Sequence, residues 1–177
     1  MEMSKIVAVI GQMNVDLIYK DINRFPNEGE EVFATDFKIE LGGGPMVIPI
    51  MLNRLGIPVK LGTYFGDDFQ SLIASDLLND IRFHYVETLH KRKKHPVVVT
   101  CVITTEAERS FVCYNEGADE LDCGPETIYE FYKSSSICFC PQDLSVARKL
   151  KEEGKILVFD VGLTDELAFQ QIGDHLQ

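Results

Sequence analysis

Two polar side chains, Asn14 and Asp16, stand two positions apart in the stretch Gly11-Gln12-Met13-Asn14-Val15-Asp16, directly after the apolar run at residues 6–10. Positions two apart on an extended chain share a face. An amide and a carboxylate placed this way point into one crevice, where both can hydrogen-bond ligand hydroxyls. Read alone, the pair serves equally well as turn-forming residues that bond their own backbone. A second candidate is the tract Gly42-Gly43-Gly44-Pro45. Consecutive glycines let a ligand approach the backbone and leave N–H groups pointing at it, although a flexible strand-to-helix turn has the same composition. No Gly-Lys-Ser/Thr ends the tract and it lacks the GxGxxG spacing, so it is neither a Walker loop nor a dinucleotide fingerprint. Gly66-Asp67-Asp68 ends another apolar run and opens a helical pattern, which suits Asp68 to capping free N–H groups. The basic run Lys91-Arg92-Lys93-Lys94-His95 could draw a phosphorylated ligand, but a solvated loop accounts for it more simply. His84, His90 and His175 have no sequence neighbours that suggest ligation or catalysis.

These residues need elements to position them. Unbroken apolar runs at residues 6–10, 59–65, 137–140 and 156–160 read as central strands covered on both faces. Helical patterns separate them at residues 50–55, 68–78, 125–132, 144–152 and 166–172, so the main sheet is expected to be mostly parallel. Pro49 has no N–H, which sets the start of the first helix near Ile48 with Pro49 in its first turn. A second set of stretches, at residues 16–19, 31–40, 97–104 and 109–114, alternates polar and apolar residues as strands with one wet face do. The link Thr105-Glu106-Ala107-Glu108 reads as a hairpin turn. A small antiparallel sheet beside the larger parallel one follows.

With 177 residues and 45% hydrophobic composition, the chain can bury one sizeable core and is too short for two ordinary domains. Seventeen basic against twenty-eight acidic side chains give a net charge of −11. That balance repels nucleic acid and anionic membrane, so neither is an expected partner. The opening residues carry no signal-peptide core or membrane span, and the expected location is cytoplasmic. Cys101, Cys113, Cys123, Cys138 and Cys140 are odd in number, lack a CxxC pair and sit mostly in strand-like runs, where free cysteine packs as a small hydrophobe. No metal is assigned to them.

Taken in order, Asn14-Val15-Asp16, Phe25-Pro26-Asn27-Glu28-Gly29-Glu30, Gly42-Gly43-Gly44-Pro45, Arg54-Leu55-Gly56 and Gly66-Asp67-Asp68 resemble the PfkB/ribokinase family of carbohydrate kinases. Arg109-Ser110-Phe111 and Gly117-Ala118 resemble that family's lid strand and the turn after it. The resemblance implies a ribokinase-like α/β domain over residues 1–177, with β-lid segments at about 14–40 and 96–115. It also implies phosphoryl transfer from ATP, with magnesium, to a hydroxyl of a sugar or nucleoside. By this match Asn14 and Asp16 bind sugar hydroxyls, and the backbone at Gly42 and Gly43 approaches the sugar closely. Ribose, fructose, a keto-deoxy acid and a nucleoside all remain open as acceptors.

The sequence departs from the family pattern at several places. Val47 stands where the family carries a sugar-contacting asparagine, and Ser71 where a glycine is common. No Gly-Ala-Gly-Asp turn, which supplies the family's catalytic base and anion hole, occurs in the 177 residues, nor the Asn-x-x-Glu segment before it. By the resemblance, the catalytic base is expected beyond Gln177, together with most of the ATP-binding segment. The implied reading is the amino-terminal, sugar-binding part of a kinase, truncated, with no catalytic residue and inactive alone. The rival is a non-enzymatic sugar- or nucleoside-binding module of the same fold. Because the strand at residues 156–160 is apolar on both faces, and lids in this family often pair between subunits, a homodimer or other self-association is expected.

Overall fold

The computed structural model describes residues 6–83, 85–92, 95–115, 123–139, 141–160 and 173. The central strand β1 (Val7–Ile10) is buried at every position. Residues Ala8 and Ile10 pack on one side of it and Val7 and Val9 on the other, in separate apolar clusters. Such two-sided burial needs partners on both edges. On one edge β4 (Val59–Gly66) runs parallel to β1, with β5 (Val86–Arg92) parallel beyond it. On the other lie β8 (Ile137–Phe139) and then β9 (Ile156–Val158), also parallel, giving the order β5-β4-β1-β8-β9.

A second sheet has the order β3-β2-β6-β7, from β2 (Asn14–Lys20), β3 (Asp36–Gly42), β6 (Val98–Thr104) and β7 (Arg109–Tyr114). The hairpin at 105–108 forms as the turn chemistry predicts. Thr105 N donates to Glu108 O at 2.9 Å, and β6 and β7 pair antiparallel. The sheet is nevertheless mixed and not wholly antiparallel, because β2 and β6 run parallel. Both strands rise from the same rim of the large sheet, where Val98 N donates to Met13 O at 3.0 Å, and so they start side by side and head the same way. Strand β3 begins at Asp36, not at residue 31. The preceding loop closes on itself instead: Glu30 Oε2 accepts from Asn27 N at 3.0 Å and Asn27 Nδ2 at 2.9 Å, and pairs with Arg24.

The helices α2 (Phe69–Asp80), α3 (Pro125–Tyr132) and α4 (Leu144–Glu152) fall where the apolar spacing places them. The expected start of α1 (Gly44–Arg54) near Ile48 is corrected: the helix begins at Gly44, with Pro45 in its first two positions and Pro49 inside. Pro45 costs nothing there because the first helical N–H groups have no intrahelical acceptor. Pro49 forfeits one bond early in the helix. It is buried, as is Met46, and this packing offsets the loss. The basic run was expected as a loop, yet Lys91 and Arg92 close β5, an edge strand where charged residues are tolerated and useful. Leu89 of that strand packs against the core. Lys93, Lys94, His84, Cys140, Gly117, Ala118, His175 and the helix expected at 166–172 lie outside the described residues. So does Gln177, beyond which the catalytic base was expected, and the structure therefore gives that expectation no test. Of the other cysteines, Cys123 and Cys138 are buried as expected, whereas Cys113 is exposed because β7 is the edge of its sheet. Burial pushes the Cys138 thiol up to about 11. No helix among the described residues is long and apolar enough to cross a membrane.

Two features of this architecture are open to measurement. Tyr132, fully buried, accepts from Ile10 N at 3.0 Å and donates to Phe139 O at 2.6 Å, so one hydroxyl satisfies backbone groups of β1 and β8. Tyr132→Phe strands both and is expected to lower the unfolding free energy by about 2 kcal/mol, measured by urea denaturation; an unchanged midpoint contradicts this. Two of the described sheet edges expose apolar side chains, with Ile156 53% exposed on β9 and Val112 66% exposed on β7. Such edges pair with other chains, and light scattering is expected to give a mass above that of one chain. A monodisperse monomer counts against it.

Candidate ligand-binding site

Where β1 ends, the chain must leave a fully buried strand without stranding its polar groups. Gly11 N donates to Gly62 O at 3.0 Å and Gly11 O accepts from Thr63 Oγ1 at 2.9 Å, so both backbone groups are used. A Cβ at Gly11 would overlap the Pro45 ring, which puts the end of β1 directly against the start of α1. Gln12 reaches across to the segment before β6, its Nε2 donating to Pro96 O at 2.9 Å. From there β2 starts at Asn14.

The structure brings all four residues singled out in the sequence together. Asn14 and Asp16 lie in regular strand pairing, opposite Gly42 and Glu40 of β3, and are not turn residues bonding their own backbone. Gly43 has φ +97°, a conformation side chains rarely adopt, and a Cβ there would stand 3.0 Å from Gln12 O and 3.2 Å from Asn14 Oδ1. A Cβ at Gly42 would overlap the Asp16 carboxylate. Both glycines are therefore required by close approach, which the sequence left open against a merely flexible turn. Gly43 is also the N-cap of α1 and makes no side-chain capping bond. Asp160, just past β9, joins this end of the sheet: its Oδ2 lies 3.7 Å from where a Cβ on Gly44 would be.

Asp16 is the most perturbed group of the cluster. Burial raises its pKa above the usual 3.8, the Thr100 hydroxyl works against that, and the Glu40 carboxylate adds a smaller upward push. Its Oδ1 is buried without a hydrogen-bond partner. Sequence reasoning missed Thr100. A polar residue within a strand was visible, but its place opposite Asp16 depends on a pairing between segments 84 residues apart.

The other candidates resolve into structure. Asp68 caps α2 as expected, accepting from Ser71 N at 2.8 Å. Ser71, where a glycine is common, uses its hydroxyl to accept from Gly66 N at 2.8 Å and donate to Asp68 Oδ2 at 3.1 Å. Val47 is 56% exposed and lines a separate groove of about 420 Å³ between α1 and β3, beside Ile39, Leu41 and Met51. Among the described residues no three His, Cys, Asp or Glu side chains group so as to hold a metal ion.

The pattern of the pfkB family carbohydrate kinases matches residues 4–155. The chain belongs to this family. Solved structures agree on the fold, which is ribokinase-like. The ribokinase of Arabidopsis thaliana, complexed with ribose and ATP, superposes with a TM-score of 0.66 at 21% identity, covering 92% of this chain and 55% of that one. The Xylella fastidiosa fructokinase with bound ATP gives 0.64 at 19% identity, over 93% of this chain and 54% of that one. The Methanocaldococcus jannaschii nucleoside kinase gives 0.53 at 13% identity, over 97% and 64%. The pfkB-family chain thus spans 54–64% of the length of these solved relatives. No curated protein matches its sequence.

The raised pKa of Asp16 has a consequence for stability. A carboxyl whose pKa is raised by folding stabilises the fold fully below 3.8, and that contribution is lost as pH rises through the raised value. At neutral pH the buried charge is therefore a cost. Asp16→Asn is expected to melt at a higher temperature than the unmodified chain at pH 7, with the gain shrinking as the pH falls to 4. An equal gain at both pH values contradicts this assignment.

Proposed function

We propose that this chain forms the acceptor-binding side of a pfkB-family kinase, holding a sugar or nucleoside at Asn14, Asp16, Gly42 and Gly43. The observation that carries the reading is the carboxylate of Asp16, one oxygen of which is buried and unpartnered where the strand packs closely against Gly42. An uncompensated buried acceptor is costly, and a ligand hydroxyl donating to it would recover that cost. The family's reaction, phosphoryl transfer from ATP with magnesium to an alcohol, depends on positioning and charge stabilisation. The 177 residues contain no Gly-Ala-Gly-Asp turn for those tasks. The literal Asn-x-x-Glu at Asn27 and Glu30 is occupied in closing the β2–β3 loop. In this reading the chain binds the acceptor and does not transfer phosphate by itself, the base being supplied from beyond Gln177.

Val47 favours a second reading. An aliphatic side chain where the family has a hydroxyl-binding asparagine suits a module that binds sugar or nucleoside without chemistry. The two readings share the site and differ in whether phosphoryl transfer is restored when the chain is combined with a segment carrying the missing turn.

Calorimetric titration of the 177-residue chain with sugars and nucleosides tests the shared claim. Asp16→Ala is expected to weaken binding by about 2 kcal/mol, the scale of a hydrogen bond to a charged group. Unchanged affinity in a folded Asp16→Ala chain would remove Asp16 from the site. Sugar-dependent ADP production by the purified chain, persisting after contaminating kinases are removed, contradicts the claim that it is inactive alone.

A further inference from the structure

On the face of the small sheet that carries Asp16, one row of side chains crosses all four strands. Glu40 on β3 pairs with Asp16 on β2, Asp16 with Thr100 on β6, and Thr100 with Cys113 on β7. Directly opposed residues on neighbouring strands present their side chains to the same face. Thr100 is 4% exposed, so its hydroxyl has no bulk water to turn to. That hydroxyl has one proton and two acceptors beside it. It bonds Cys113 Sγ at 3.6 Å, and it also acts on the Asp16 carboxylate, opposing the effect of burial. Sulfur is a weak acceptor and a carboxylate a strong one, and the Asp16 carboxylate stands in register with Thr100 on the side away from Cys113.

A half-buried carboxylate with one buried oxygen unpartnered is useful to a ligand only if it is held in one orientation. Gly42 limits it from β3, since there is no room even for a Cβ beside it. From β6 the side chain in register with it is Thr100. We propose that Thr100 is a positioning residue for Asp16, fixing the carboxylate from the neighbouring strand so that Oδ1 is presented to a ligand hydroxyl. The proposal rests on the sugar-binding reading of Asp16. It extends that reading to a residue whose type would otherwise be explained by its fit to a strand, since threonine and valine pack alike there.

The test separates shape from hydroxyl. Thr100→Val keeps the branched shape and removes the hydroxyl, whereas Thr100→Ser keeps the hydroxyl and removes the methyl. Affinities of the 177-residue chain for D-ribose, D-fructose and adenosine are measured by calorimetric titration, in the unmodified and the Asp16→Asn backgrounds. Thr100→Val is expected to weaken the bound probe by about ten-fold in the unmodified background. In the Asp16→Asn background it should have little effect, and Thr100→Ser should retain most of the affinity. A chain that binds none of the probes overturns the sugar-binding reading and this proposal with it. A chain that binds, but loses equal affinity on Thr100→Val in both backgrounds or none in either, overturns the proposal alone. A second readout needs no ligand: the Asp16 carboxyl titration followed by carbon-13 NMR, with Glu40 as the charged neighbour facing it from β3. Thr100→Val is expected to move its midpoint upward and Thr100→Ser to leave it in place. An unmoved midpoint in folded Thr100→Val shows that the hydroxyl does not hold Asp16.

Discussion

Strand β1 is buried on both faces and both edges, and the rest of the structure is arranged around how its chain gets out. Unpaired backbone groups at that exit would be costly, and none is left at Gly11, whose N–H and C=O are taken by Gly62 and Thr63. The absence of a side chain at Gly11 lets Pro45 and the start of α1 close over the exit. The chain then passes straight into β2, so the end of one sheet is the beginning of the other. Every candidate ligand-binding group lies within a few residues of that junction.

The junction explains why the site combines glycines with a carboxylate. Two strands, a helix start and the last residues of a third strand converge there, with room for backbone but little for side chains. Asp16 is the exception, and its position is costly: burial and Glu40 both oppose its charge, with Thr100 the compensating neighbour. The opposite end of the small sheet shows no such tension. There Lys20 pairs with Asp36 at 3.4 Å in a half-exposed ion pair, an arrangement worth little either way.

The pfkB family match and the ribokinase-like superpositions place this junction in a known frame, yet the chain departs from the frame locally. Ser71, where the resemblance leads one to expect a glycine, ties Gly66 to the cap of α2 through its hydroxyl. The proline inside α1 is accommodated because it sits early in the helix and is itself buried. Val47 lines a groove of mixed character, with Glu40, Arg54 and Asp80 among its walls beside apolar residues. The fold absorbs these changes because each keeps local packing or backbone bonding intact, whatever it does to ligand recognition.

Much of this was legible in order along the chain. Unbroken apolar runs determine the parallel strands, and at β1 and most of β4 their burial as well. The expectation that the run at 156–160 is covered on both faces is corrected, since β9 is an exposed edge among the described residues. The 3.6-residue spacing determines α2 and α4, with Asp68 legible as the cap of α2. The hairpin at 105–108 and the glycine tract also follow from local chemistry, because turn residues act over a few bonds. What tertiary structure alone decided depends on pairing between distant segments. The parallel β2–β6 register, and with it the meeting of Asp16 and Thr100, has no local signal, since a strand's sequence carries no label for its neighbour. The same holds for β5, whose charged end reads as a loop until an edge position makes those charges suitable. It holds too for the close approach of Gly42 to Asp16, which separates a required glycine from a merely flexible one only when the two strands lie side by side.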